Sequence, residues 1–393
     1  ARLVPLTGES QDAGLMGCRT DGTFLFQVEG DQLEQAADNF LRWGQRSKKP
    51  QPGPRVYLAG GSCLISDPQV KLKIADDTVT FESVSLGSIA LKVDLISGIL
   101  LEVPDNSALC EQSSDRIRNA KGTTDTIILD NGDQVQGILI ELNDENFKLQ
   151  TSAGNIIEDD RSKVQAIVFN PALVEKLPKQ NSQMFVHLAD GSFVIATKWS
   201  GSEDRFQMKT ADGTELSSPY QRIRRNRPAT PVVIGLQPFV SQVTYLSDMK
   251  PAAYRHRPYL SVRWPYQLDR NVKGEALSCR GQVYDKGIGM HSTASLSFQL
   301  KKPYQRFDAS LAIDEATEGK GSVVFRVYIN DGSGEWQQRY KSKVIRGSDE
   351  SPTNMSVDIT GAKSLSLVVD AADRGDELDH ANWLDARLVP AGP

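Results

Sequence analysis

From Tyr284 to Leu388 apolar and polar residues alternate in short runs. Phe307-Asp-Ala-Ser-Leu-Ala-Ile-Asp314-Glu315, Gly321-Ser-Val-Val-Phe-Arg-Val-Tyr328 and Ile359-Thr-Gly-Ala-Lys-Ser-Leu-Ser-Leu-Val-Val-Asp370 are rich in alternating or β-branched apolar positions and bounded by Gly, Asp, Asn or Pro. A period of two with this punctuation predicts short, half-buried strands, and a series of them predicts a β-sandwich.

Upstream, the pattern repeats. Arg55-Val-Tyr-Leu-Ala-Gly-Gly61, Thr126-Ile-Ile-Leu-Asp-Asn-Gly132 and Phe185-Val-His-Leu-Ala-Asp-Gly191 each read as a strand running into a glycine turn. In the last two units a further glycine turn follows after 22 residues, at Gly154 and Gly213; in the first its counterpart is Gly87, slightly later. Turns that need positive φ take glycine without steric cost and fix the register of the hairpins they close. In the second unit Val135, Ile138 and Ile140, then Phe147 and Leu149, Ile156 and Ile157, and Val164, Ile167 and Phe169 supply the apolar positions. A unit this small buries limited apolar area alone, so neighbouring units are expected to pack together. Residues Leu15 to Gly44 read as a partial β unit, and Lys48-Lys-Pro-Gln-Pro-Gly-Pro54 as a proline-rich linker. Ser107 to Asn119 reads as a helix capped by Ser107 or Asp105, with basic residues at its C-terminal end. Asn170 to Pro178 is a short bridge, and Arg227-Pro-Ala-Thr-Pro231 marks the boundary before the sandwich.

Several ordered motifs carry a resemblance: Lys286-Gly-Ile-Gly-Met-His-Ser292, Ile313-Asp-Glu315, Gly321-Ser-Val-Val-Phe-Arg-Val-Tyr328, Gly361-Ala-Lys-Ser-Leu-Ser-Leu-Val-Val369 and Asp379-His-Ala-Asn-Trp383. Together they resemble the NPCBM domain, which is similar to the family 51 carbohydrate-binding modules and often attached to bacterial glycoside hydrolases. The resemblance implies a jelly-roll sandwich that binds a glycan and catalyses nothing. The second repeat, through Gly132-Asp-Gln-Val-Gln-Gly137 and Asn143-Asp-Glu-Asn-Phe147, weakly resembles Sm-like and SH3-like small barrels. The fold class expected is therefore all-β, an N-terminal array of small β-barrel or β-sheet repeats followed by a C-terminal jelly-roll β-sandwich. Its divisions are residues 1–54 (partial β unit and linker), 55–123 (first repeat plus helix), 124–181 (second repeat), 182–230 (third repeat) and 231–393 (sandwich).

Composition narrows the function. With 39% hydrophobic and 24% charged residues the chain reads as globular, and 393 residues can bury more than one core. A net charge of -5 gives no support to a nucleic-acid partner. The local run Arg222, Arg224, Arg225 and Arg227 reads as a solvated strand end or a polyanion site, without aromatic residues interleaved as a base-stacking platform. No stretch approaches the roughly 18 apolar residues of a membrane helix. The chain begins at Ala1 without a Met, which suits a processed secreted protein and a trimmed chain equally; the expected location is secreted or cell envelope. Cys18, Cys63, Cys110 and Cys279 lack metal-ligand spacing and are either buried thiols or partly paired. No nucleophile elbow, H-E-x-x-H, phosphate loop or catalytic-domain carboxylate motif occurs, so no enzyme is expected.

A lectin-like site needs carboxylates, amides or imidazoles for sugar hydroxyls and an apolar face beneath the ring. The candidates are His291, Asp314, Glu315, Asp373, Asp379, His380 and Trp383; the alternative for the histidines and Trp383 is a buried role tying loops and core together. Tyr254, Tyr259, Trp264 and Tyr266 either stack on sugars or anchor the leading segment to the sandwich. A structural Ca²⁺ is the second expectation, with Asp269, Asn271 and Asp385 as candidate ligands and the Asp370–Asp379 loop as a further source of oxygens. The leading functional reading is a non-catalytic carbohydrate-binding protein. The competing one is a structural or assembly protein whose repeats and sandwich contact other chains or a second copy.

Overall fold

The computed structural model describes residues 1–6, 10–44, 52–174, 177, 182–202, 204–222, 229–239, 243–259, 261–347, 351–373 and 375–390. The linker residues 45–51, Pro178, Gln242 and three arginines of the basic run, Arg224, Arg225 and Arg227, lie outside them. Strands make up 54% of the described residues against 7% helix, and the all-β class holds. The chain divides into two compact units, one of residues 1–46 and 50–240, the other beginning at residue 241.

In the first unit one succession of strands occurs four times. The clearest copy runs Asp125–Leu129, Gln134–Leu142, Asn146–Gln150, Ile156–Asp160, a 3-10 turn at Arg161–Lys163, and Val164–Val168. Its last strand returns to pair with its first, Ile127 opposite Ile167, which closes the sheet. The same closure joins Val56 to Ile99 in the copy before it and Val186 to Leu236 in the copy after it. Gly61, Gly132, Gly154, Gly191 and Gly213 all have positive φ, so the repeated glycines are the turns that set register.

Residues 1–44 are more than a partial unit. They run Arg2–Pro5, Gln11–Asp12 and Gly14–Cys18, Phe24–Val28, Asp31–Gln35, a 3-10 turn at Ala37–Asn39, and Phe40–Gly44, with Leu3 opposite Trp43. The copy is hard to see in sequence because its second strand is broken at Ala13 and no Asn-Gly or Asp-Gly pair stands in the sequence between its first two strands. The 22-residue interval was nonetheless there, from Gly8 to Gly30. The four copies join through their closing strands: Gly98 pairs with Val168, and Gly235 with Gly44. Their apolar faces form one continuous core that includes Phe24, Phe26, Phe40, Phe147 and Phe206, as expected of units too small to bury enough surface alone.

The helix spans Ser107–Arg118, and its cap is Asn106, whose side chain accepts from the Leu109 amide at 3.1 Å. That corrects the expected cap at Ser107 or Asp105 by one residue. Cys110 and Ile117 pack from this helix against Tyr57, Cys63 and Ile128. All four cysteines are buried and none is in a disulfide, and burial pushes the Cys18 thiol up to about 12.

The second unit is a sandwich of two antiparallel sheets. One is ordered Gln267–Leu268, Gly287–His291, His380–Pro390, Tyr304–Ile313, Thr353–Asp358. The other is ordered Ala253–His256, Ala294–Gln299, Ser364–Ala371, Ser322–Asn330, Gln337–Lys341. In Ser322–Asn330 the inward positions are Val323, Phe325, Val327 and Ile329, all buried. They meet Phe298, Phe307, Leu311 and Trp383 between the sheets, the packing that period-two patterning encodes.

Candidate functional site

The Lys286–Ser292 turn is shaped by close backbone approach. A Cβ on Gly289 would lie 2.5 Å from the Arg270 carbonyl oxygen, and one on Gly287 2.6 Å from that of Trp383. The glycines therefore admit the neighbouring chain; they do not cradle a ligand. Lys286 is almost fully buried, and its Nζ donates to Asp248 at 2.5 Å and Asp269 at 2.8 Å. Burial works against its charge, but the two carboxylates outweigh burial and raise its pKa.

The strand pairing sets His291 directly opposite His380. His256 joins them from the other sheet, so three of the four histidines gather with Trp264. The Trp264 ring lies parallel to His291, at 4° and 5.1 Å between centroids, and 5.7 Å from His380. His256 meets His291 edge-on at 5.7 Å. The Trp264 backbone is held at both ends: its amide donates to His256 Nδ1 at 3.3 Å and its carbonyl accepts from the Tyr254 hydroxyl at 2.7 Å. The ring is thereby a fixed platform, half-buried, at the edge of a concave depression of ≈ 460 Å³ lined by Tyr254, Arg255, His256, Arg263, Trp264 and Pro265.

His291 and His380 are both buried and line none of it. Burial, with His291 and Lys273 adding repulsion, pulls the His380 pKa down to about 4. Burial also lowers that of His291, against the Ser292 carbonyl and Asp376, which favour its charged form. Both rings are neutral at pH 7 and act as backing for Trp264.

The carboxylate candidates separate. Asp314 is 0% exposed. Its Oδ1 accepts from Asn271 Nδ2 at 3.1 Å and the Ala316 amide at 3.0 Å, and its Oδ2 from the Ser278 amide at 3.1 Å and Asn382 Nδ2 at 2.6 Å. Nothing of this carboxylate remains for a sugar, which corrects the expectation for Asp314. Glu315 accepts from the Gly281 amide at 3.0 Å and serves the same joint. Asp379, also 0% exposed, accepts from Ser292 Oγ at 2.5 Å and the Ser322 amide at 2.7 Å. Burial raises its pKa to about 6. Asp373 is exposed and paired with Arg346 at 2.7 Å. Trp383 is 0% exposed and meets Phe325 edge-on at 4.9 Å; it is core and no sugar platform.

Two of the three calcium candidates, Asp269 and Asn271, have their side chains engaged by protein groups. Asp269 is taken by the Lys286 ammonium and the Gly287 amide. Asn271 turns its amide nitrogen to Asp314 and its oxygen to the Lys273 and Glu275 amides. Asp385 is buried, and its main chain is held by the Lys286 carbonyl and by Arg387. Among the described residues no three His, Cys, Asp or Glu side chains gather as a metal site.

Sequence reading named Trp264 only as one of two alternatives and passed over His256, Arg255 and Arg263. The available signal was Tyr254-Arg-His-Arg257, which alternates half-buried and exposed positions at the sheet edge. Tyr254 and Tyr266 do anchor the segment, with ring centroids 5.0 Å apart against the core.

A stretch of 129 residues is 31% identical to alpha-1,3-galactosidase B of Akkermansia muciniphila. The match covers 32% of this chain and only 16% of that protein's length. Similar solved structures include a CBM51 from a Clostridium perfringens GH95 protein in complex with methyl-galactose, at 23% identity over 37% of this chain and 99% of that one, TM-score 0.33. Another is CBM51-2 in complex with GlcNAc, with INT domains, from C. perfringens ZmpB, at 21% identity over 52% and 43%, TM-score 0.34. Residues 242–389 match the NPCBM/NEW2 domain family, and the C-terminal unit carries a domain of that family.

Proposed function

We propose that this chain binds a glycan through its C-terminal unit, in the depression beside Trp264, and contributes recognition without catalysis. The observation that carries the reading is the indole ring, fixed flat on His291 at the edge of an open concavity. A sugar's C–H face packs on such a surface, and a platform immobilised in advance loses little entropy on binding. The names of similar proteins support this reading: one is a galactosidase and two are carbohydrate-binding modules with a sugar bound. In this reading the chain is secreted or envelope-located and delivers a glycosidase activity to its substrate.

A glycan array probed with the full chain tests it. Trp264→Ala is expected to weaken the best hit at least about tenfold, the effect of losing one stacked ring, while the chain remains folded by circular dichroism. A blank array from folded protein would sink the proposal, and hydrolysis of aryl-glycosides by the purified chain would remove its non-catalytic part.

A second reading, self-association through the repeats, rests on Ile138 and Ile156. Each is 62% exposed, and they flank Gln150 on neighbouring strands. It predicts a concentration-dependent mass in sedimentation that Ile138→Glu with Ile156→Glu returns to monomer; a wild type monomeric throughout rejects it.

A further inference from the structure

The chemistry of the depression goes beyond binding a sugar and selects a class of sugar. A neutral sugar is held by groups that accept from its hydroxyls as well as donate to them, chiefly carboxylates and amides. The lining, Tyr254, Arg255, His256, Arg263, Trp264 and Pro265, contains neither. Its charged residues are Arg255 and Arg263. Arg255 and Arg263 are both exposed, and no carboxylate among the described residues pairs with either.

The segment around them is equally one-sided. Between Asp248 and Asp269 the sequence has Lys250, Arg255, Arg257 and Arg263 and not one Asp or Glu, in a chain whose net charge is -5. The acid that does approach, Asp376, accepts from the Tyr259 amide at 3.0 Å and lines none of the depression. An exposed cation is ordinarily compensated by a neighbouring acid or by solvent. Two arginines beside a fixed indole, with neighbouring acids excluded from the segment, leave their forks for an anion arriving with the ligand.

We infer that the depression takes an acidic glycan, one whose ring stacks on Trp264 while a carboxylate or sulfate group is held by Arg255 and Arg263. This rests on the glycan-binding reading above and specifies its ligand. Guanidinium is planar and weakly hydrated, and its paired N–H groups match the spacing of carboxylate and sulfate oxygens. The charge adds selectivity where the stacked ring, which every pyranose offers, adds little. Lysine at these positions would attract the same anion with less geometric discrimination.

Matched sugars separate the terms. Binding of galactose, galacturonate and galactose 6-sulfate, and of GlcNAc and its 6-sulfate, is measured by ligand-observed NMR titration against the full chain at low and high salt. The acidic member of each pair is expected to bind at least tenfold tighter than its neutral partner at low salt. The preference is expected to narrow as salt screens the guanidiniums and to vanish in the double variant Arg255→Gln, Arg263→Gln. Preference for galacturonate over the sulfates would assign the charge to a carboxylate, and the reverse to a sulfate ester. Equal binding of neutral and acidic partners would overturn the inference and leave the glycan-binding reading standing. An acidic preference that survives the double variant would overturn the assignment to these arginines. Binding of no sugar at all, acidic or neutral, would remove both.

Discussion

Asp379→Asn is expected to stabilise the C-terminal unit at neutral pH, by up to about 3 kcal/mol. The figure follows from a carboxyl whose pKa rises from 3.8 to about 6 on folding, at about 1.4 kcal/mol for each unit. Its folded form holds a proton more tightly than its unfolded form. The stability this gives is therefore complete below about pH 4 and is lost as pH rises through 6. His380 runs the other way: its folded pKa, about 4, lies below the ordinary 6.5, so it adds stability as pH rises across that window. In the wild type the two slopes oppose each other, with the lowered pKa of His291 adding to the histidine side, so urea midpoints rise less with pH from 4 to 6.5 than they do in the variant. Asparagine keeps an oxygen for the Ser322 amide and presents an N–H to Ser292 Oγ, but has no charge to bury. The variant is expected to match wild type at pH 4 and to gain steadily toward pH 7, exposing the histidine slope. A variant no more stable than wild type at pH 7, with an unchanged pH profile, would show that the carboxylate is not held against its charge.

The strands of the sandwich were legible because Val323, Phe325, Val327 and Ile329 alternate with outward residues, and that alternation leaves no other face to bury. The repeats were legible through glycine, because a positive-φ turn narrows the choice of residue. Polar residues gave no such constraint. Asp314 reads in sequence as a loop acid, and three of the four donors that bury it come from positions 36, 43 and 68 residues away. Lys286 read only as the first residue of a family motif, and Asp248 and Asp269 close on it from two other segments. The depression was missed for the same reason. Trp264 becomes a platform only when His291 comes beneath it from a strand that begins more than twenty residues later, and no local pattern records that contact.

Asp314→Ala separates structural from ligand roles most sharply. A residue that only touched sugar would lose binding and keep its stability. Here the substitution strands two backbone amides and the amide groups of Asn271 and Asn382 in a site without solvent access. A buried donor left without an acceptor costs about 1–3 kcal/mol, and water entering the vacated space recovers part of that, so a loss on the order of 4 kcal/mol is expected. Asp314→Asn is expected to lose less. It keeps an acceptor for one pair of donors but sets an N–H against the other, where Ser278 and Asn382 both donate. The joint that fails is the one tying the Asn271–Ser278 loop to the ends of Tyr304–Ile313 and His380–Pro390, so hydrogen exchange should accelerate first in that loop and at Asn382. Full-length Asp314→Ala with wild-type urea midpoint and exchange, but no glycan binding, would return Asp314 to the sugar site and remove the hub from the account of this fold.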